Sequence, residues 1–262
     1  MDDAQLLESF EVLALAAGSV VMQAFLQGCD VERKGDDSPV TIADRESERI
    51  IVEGLRRICP GMPIVAEEAA SAGDCPTDPG PEFLLVDPLD GTREFVEGRP
   101  EFTVNIALVR NGAPVIGVVY APAARLLFSG RPGAASKAVV DDDFAIVSRQ
   151  PAKVRARPMT PVVVASRSHR STETDNYVAT LGQVEFTSIG SSLKFGLLAG
   201  GEADIYPRFG RTMQWDTAAG DAVLRAAGGT TTTIEGELLS YGPRRGESEL
   251  PYENPSFIAC GG

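Results

Sequence analysis

The chain has 262 residues, 43% hydrophobic and 23% charged, enough apolar material for one large or two modest domains and too much for global disorder. Its formal net charge of −13 excludes a protein that coats a nucleic-acid polymer, because such binding runs on clustered Lys and Arg. A small phosphorylated ligand stays admissible if something positive, such as bound divalent cations, screens the carboxylates. Cys29, Cys59, Cys75 and Cys260 form no CxxC pair and no zinc-type spacing, so they read as free thiols in a reducing cytoplasm. The acidic start Met1-Asp2-Asp3 is unlike a secretory leader. The most apolar stretch, Val12 to Leu26, is broken by Gly18-Ser19 and falls short of the roughly 20 residues of a transmembrane helix. No transmembrane segment is expected.

Leu6, Phe10, Leu13, Ala17, Val20 and Ala24 recur at helical spacing, so residues 4–27 read as an amphipathic helix that stops near Gly28. Thr41-Ile42-Ala43-Asp44 has the pattern of a second helix start, with Thr41 as cap and Asp44 in the first turn. Ile51, Leu55 and Ile58 give that helix an apolar face, and Pro60-Gly61 ends it. Ile64 to Ala66 is a short strand leading into Glu67-Glu68, and residues 71–82 are a loop. Phe83-Leu84-Leu85-Val86 suits a central strand, ended by Asp87-Pro88. Residues 102–120 read as a hairpin about Asn111-Gly112, and a further strand pair runs through Leu127-Phe128. After the stretch 149–161 come a buried strand at Val162–Ala165, helices near 172–181 and 191–199, and a strand over Ala203–Tyr206. The last helix starts at Asp216 and ends at Gly228-Gly229. This order predicts two α/β halves, residues 1–155 and 156–262.

Asp87-Pro88-Leu89-Asp90-Gly91-Thr92 carries the most chemistry. Its two carboxylates flank a proline that fixes a turn, so both can converge beyond the strand's carboxyl end, where open α/β sheets place ligands. Gly91 frees the backbone to expose its N–H, and Thr92 opens a helix whose N-terminus suits a phosphate. Metal-binding carboxylates beside an anion cradle are what metal-assisted phosphoryl transfer needs. Each acid also has a plain structural reading. Asp87 and Asp90 fit an Asx turn and a cap, Glu67-Glu68 a surface pair, and Asp44 and Asp216 helix caps.

Taken together and in this order, Glu67-Glu68, Asp87-Pro88-Leu89-Asp90-Gly91-Thr92 and Trp215-Asp216-Thr217-Ala218-Ala219-Gly220 resemble the acidic pair and the two signature regions of the inositol-monophosphatase superfamily. Within it, Thr92-Arg93-Glu94-Phe95, Ser166-Arg167-Ser168-His169, Ser188 to Phe195 and Tyr206 to Gly210 resemble segments of the bacterial 3′(2′),5′-bisphosphate nucleotidases. The likeness covers about residues 35–258 and is weakest in 71–82 and 131–160.

The resemblance implies a layered α-β-α-β-α sandwich of α/β (α+β) class, with an antiparallel sheet first and a smaller mixed sheet second. It implies two or more Mg²⁺ ions held by the carboxylates of Glu67, Asp87, Asp90 and Asp216 and the carbonyl of Leu89. Asp44 and Thr92 become the pair that orients and deprotonates the attacking water, and the Gly91 and Thr92 amides hold the scissile phosphate. Ser166, His169, Gly190, Lys194 and Asp216 become substrate contacts. The implied partner is a small phosphorylated nucleotide, adenosine 3′,5′-bisphosphate, losing its 3′-phosphate. Inositol monophosphate or another sugar phosphate is the alternative substrate, and a non-catalytic phosphate-binding module is a third reading. Many relatives are homodimers, which leaves a homodimer open here. A cytoplasmic location is expected, with the cytoplasmic face of the inner membrane as the alternative.

Overall fold

The computed structural model describes residues 1–28, 30–35, 39–167, 171–244 and 251–262. Helix α1 (Asp3–Gln27) begins where the Asp2 carboxylate accepts from the Ala4 and Gln5 amides, and it ends at Gly28, whose φ is 76°. At 25 residues, α1 is by length and composition alone long and apolar enough to span a bilayer. That revises the expectation drawn from Val12–Leu26, because the helix runs on from Asp3. Leu6, Phe10, Leu13, Ala14, Ala17 and Val21 are nonetheless buried inside the protein, the pattern of a core helix.

Strands β1 (Val31–Arg33) and β2 (Pro39–Thr41) pair antiparallel and lead into α2 (Ile42–Ile58). The reading of Thr41 and Asp44 as a helix start holds: each side chain accepts from the other's end of the first turn in a capping box. The large sheet contains β3 (Ile64–Ala66), β4 (Glu82–Asp90), β5 (Thr103–Arg110), β6 (Ala113–Ala121), β7 (Leu126–Arg131), β8 (Ala134–Val140) and β9 (Ile146–Pro151), ordered as in the chain. Its pairs are antiparallel except β3 with β4. Short helices α3 (Glu67–Ser71) and α4 (Thr92–Val96) follow β3 and β4.

The expectation that Asp87-Pro88 ends the central strand is corrected by β4, which continues to Asp90 through a register shift between Asp87 and Asp90. An irregularity of this kind tolerates a residue without an N–H, so proline interrupts the ladder without stopping the strand.

The smaller sheet has the order β11 (Glu185–Ile189), β10 (Val162–Ser166), β12 (Ile205–Arg208), β14 (Phe257–Cys260), β13 (Thr230–Thr233). The first three strands are parallel and the last three antiparallel, so the sheet is mixed. Helices α6 (Leu193–Ala199) and α7 (Gln214–Ala226) lie between the two sheets, α1 and α2 cover the outer face of the large one, and α5 (Thr172–Thr180) packs on the small one. This is the expected α-β-α-β-α layering. Along β4, Phe83 and Leu85 enter the core shared with α6 and α7, while Leu84 and Val86 enter the core under α1 and α2. A strand buried on both faces reads as an unbroken apolar run.

Two glycines let α7 lie directly on the large sheet. A Cβ on Gly117 would stand 2.2 Å from the Ala219 carbonyl oxygen, and one on Gly130 would stand 2.7 Å from the Val223 Cα. The helix that carries Asp216 is set by that close approach.

Candidate active site

The carboxyl end of β4, the starts of α3 and α7, and the turn before α6 meet at one cleft. Asp87 Oδ1 accepts from the Leu89 amide at 3.0 Å. Asp90 Oδ2 accepts from the Ser192 amide at 2.5 Å and from its hydroxyl at 2.6 Å. Asp216 Oδ2 accepts from the Met213 amide at 2.8 Å. Each aspartate therefore has one oxygen held by a protein donor. Glu67 opens α3, whose start is fixed by Glu48 accepting from the Glu68 and Ala69 amides at 2.7 and 3.0 Å. Lys34, which the sequence reading passed over, donates to both Glu67 and Glu68 at 2.6 Å. Burial alone would lower the Lys34 pKa, but these two carboxylates outweigh it and raise it.

The acids are crowded. Burial raises the Asp87, Asp90 and Asp216 carboxyls above the ordinary carboxylate range. Repulsion from Glu67 and from one another raises Asp87 and Asp216 further, whereas the Ser192 bonds and the Lys194 charge restrain Asp90. Burial and the Glu67 charge push Glu68 to about 7. Hard oxygens that repel one another in a buried place suit a divalent cation such as Mg²⁺, and the Leu89 carbonyl is of the same donor type. Among the described residues, no three His, Cys, Asp or Glu side chains already stand gathered as a metal cage. Ligation would draw side chains together on this backbone.

Asp44 is 1% exposed and receives the Thr41 amide and hydroxyl on Oδ2, each at 2.7 Å. Its Oδ1 faces the Thr92 hydroxyl at 3.0 Å, which also lies 3.1 Å from the Leu89 carbonyl. Burial raises the Asp44 pKa against the pull of the Thr41 bonds. The cap reading and the pairing with Thr92 thus describe the same residue: one oxygen starts the helix, the other reaches the cleft.

Beside the acids lies a cavity of about 230 Å³, lined by Thr92, Ser166, Ser191, Lys194, Arg208 and Asp216 among others. Lys194 is not a solvated helix residue. It is 3% exposed, donates to the Ile189 carbonyl at 3.2 Å and to the Ser191 carbonyl, and sits 5.0 Å from the Tyr206 ring centre. Burial drags its pKa down to about 8, with Asp90 opposing the fall. Arg208, 6% exposed, donates to the Arg211 carbonyl at 2.7 Å, and its Nε has no partner among the described residues. Gly190 packs against Glu101, whose carbonyl oxygen would stand 2.8 Å from an added Cβ. His169 lies outside the described residues.

The structure brings Asp44, Glu67, Asp87, Leu89, Asp90, Gly91, Thr92, Ser166, Lys194 and Asp216 to this one cleft. Sequence reasoning missed Lys34, Glu48 and Asn105, and it met Ser192 and Arg208 only inside motifs. An uncharged serine or a lysine in a charged run carries no spacing signal.

A layered α/β sandwich with carboxylates at a strand end and a lysine–arginine cavity beside them defines an enzyme that works on phosphate esters. The chain belongs to the inositol monophosphatase family, whose model matches residues 2–260. It is 45% identical over 255 residues to the 3′(2′),5′-bisphosphate nucleotidase CysQ of Salmonella typhimurium, covering 96% of this chain and 98% of that one. It is also 45% identical over 248 residues to the same-named protein of Escherichia coli K12, covering 94% and 95%. Among solved structures, CysQ from Bacteroides thetaiotaomicron superposes with a TM-score of 0.78 at 35% identity, covering 98% of this chain and 97% of that one.

Proposed function

We propose that this protein is a Mg²⁺-dependent 3′(2′),5′-bisphosphate nucleotidase that converts adenosine 3′,5′-bisphosphate and water to AMP and phosphate. The observation that carries the reading is the placement of buried Lys194 and Arg208 in the cavity adjoining the acids. A bisphosphate needs two anion sites, and a polyol monophosphate needs one.

Glu67, Asp87, Asp90, Asp216 and the Leu89 carbonyl would hold the metal ions. Bound there, they supply charge neutralisation for the phosphoryl group and a more acidic water. The Thr92 hydroxyl accepts a hydrogen bond from that water while donating its own hydrogen to Asp44 Oδ1, 3.0 Å away. A raised pKa makes Asp44 a better acceptor for the water's proton than an ordinary aspartate. The Gly91 and Thr92 amides orient the scissile phosphate; attack by water forms a new P–O bond as the bond to the 3′ oxygen breaks, and that oxygen takes its proton from solvent water. Lys194 and Arg208 hold the second phosphate, and Ser166, with His169 beyond it in sequence, borders the nucleoside.

The test is a substrate comparison by Lys194→Met. A charged hydrogen bond contributes about 1.5–3 kcal/mol, so kcat/KM for the bisphosphate should fall roughly 10- to 150-fold. Adenosine 3′-monophosphate, without the second group, should be affected far less. Equal losses on both substrates would return inositol or another sugar monophosphate to the front.

A further inference from the structure

Ser192 occupies an unusual position for an uncharged residue. Its hydroxyl lies 2.6 Å from Asp90 Oδ2 at the end of β4 and 2.5 Å from the Asp216 carbonyl oxygen in α7. The same oxygen accepts from Asn105 Nδ2 in β5 at 3.0 Å. Three elements that carry or flank the acid cluster therefore meet on one side chain, which is 3% exposed.

The surroundings hold Ser192 there at some cost. Ser191, just before it, has a left-handed φ of 54°, a backbone state that L-residues with a Cβ rarely adopt. Lys194 Nζ donates to the carbonyls on both sides of Gly190, those of Ile189 and Ser191, which fastens this turn from inside. Asn105 is fully buried, yet its Oδ1 has no partner among the described residues. A buried unsatisfied amide oxygen is destabilising, so packing alone does not account for asparagine here. The other end of the same amide does: Nδ2 fixes the Ser192 oxygen.

We propose that Ser192, set by Asn105, is a positioning residue that presents Asp90 to a divalent cation. The Ser192 amide, joined by the hydroxyl when its hydrogen turns to Asp90, locks the carboxylate rotamer and leaves Oδ1 for the ligand. The single hydroxyl hydrogen serves either Asp90 or the Asp216 carbonyl, so one side chain ties the spacing of two acids carried on β4 and α7. This inference rests on the metal-binding part of the proposed function. Partners of this kind behind metal ligands alter affinity by about 10- to 100-fold.

The experiment is calorimetric titration of Mg²⁺ into the full chain without substrate, for wild type, Ser192→Ala and Asn105→Ala, with thermal melting of each. Ser192→Ala is expected to weaken Mg²⁺ binding about 10- to 100-fold, and Asn105→Ala to weaken it less. In steady state, the Mg²⁺ concentration for half-activation should rise for Ser192→Ala while kcat at saturating Mg²⁺ stays near wild type. A merely structural serine would move the melting temperature and leave that split absent. Should Ser192→Ala fold poorly, the Asn105→Ala titration carries the test. Unchanged Mg²⁺ affinity in a folded variant overturns the inference. Absence of Mg²⁺ binding by the wild type overturns the metal reading beneath it instead.

Discussion

Asp44 and Thr92 illustrate how a residue can serve structure and chemistry with different atoms. Asp44 Oδ2 is committed to the helix start, so Asp44→Asn risks the capping box as well as the proton path. Thr92→Ala is the cleaner probe, because among the described residues the Thr92 hydroxyl caps no helix and hydrogen-bonds Asp44 Oδ1 and the Leu89 carbonyl. Loss of such proton handling lowers rate by about 10²- to 10⁴-fold, and kcat should absorb it with KM nearly constant. A raised KM with kcat intact would remove Thr92 from that role. Lys194 gives a pH signature at the same scale. With a pKa near 8, it is cationic below that pH and neutral above it. The kcat/KM for the bisphosphate should therefore drop above about pH 8 more steeply than that for adenosine 3′-monophosphate, and parallel pH profiles would reveal any identity between them.

The elements position these residues, and the close seating of α7 on the large sheet is the most exposed to a single change. Gly117→Ala would place a methyl 2.2 Å from the Ala219 carbonyl. Overpacking of a tight core costs about 1–3 kcal/mol, and here relief requires α7, with Asp216, to lift. The variant should melt lower and bind Mg²⁺ more weakly, whereas a stability loss with unaltered Mg²⁺ affinity would show that α7 does not govern the site.

The same elements show what was legible beforehand. The α1 and α2 patterns, the Asn111-Gly112 hairpin and the apolar run of β4 were readable because local periodicity and turn chemistry decide them. Asn111 and Gly112 indeed have φ values of 49° and 76°. α7 starts at Gln214, not Asp216, because its first turn is held by long-range partners: Gln214 N donates to the Tyr252 carbonyl, and Asn254 bonds the Met213 carbonyl and Thr217. β11, β13 and β14 went unread for a related reason. They are short, and Thr230–Thr233 has no alternation of apolar residues; pairing with Phe257–Cys260 makes it a strand. The acids were legible as a set through motif order, while Ser192 and Asn105 matter through contacts 24 to 102 residues apart in sequence.

For the molecule as a whole, a chain of charge −13 that buries its acids together stores an electrostatic penalty in its metal-free form. The carboxyls of Asp87, Asp90, Asp216 and Glu68 have raised pKa values in the folded state, so the folded chain binds more protons than the unfolded one between the ordinary carboxylate range near 4 and the raised values. Stability of the metal-free protein then falls as pH rises through that window, about 7 for Glu68. Chelator-treated protein should melt higher near pH 5 than near pH 8, and Mg²⁺ should recover most of the loss at pH 8. A metal-free melting temperature that climbs over this range would contradict the crowding of the acids.

The most direct trial of the central claim is phosphate release from adenosine 3′,5′-bisphosphate and from inositol 1-phosphate, measured side by side with Mg²⁺ and after chelation. The account predicts faster turnover of the bisphosphate, abolished by chelation and restored by Mg²⁺. Faster hydrolysis of inositol 1-phosphate, or undiminished hydrolysis of the bisphosphate after exhaustive metal removal, would contradict it.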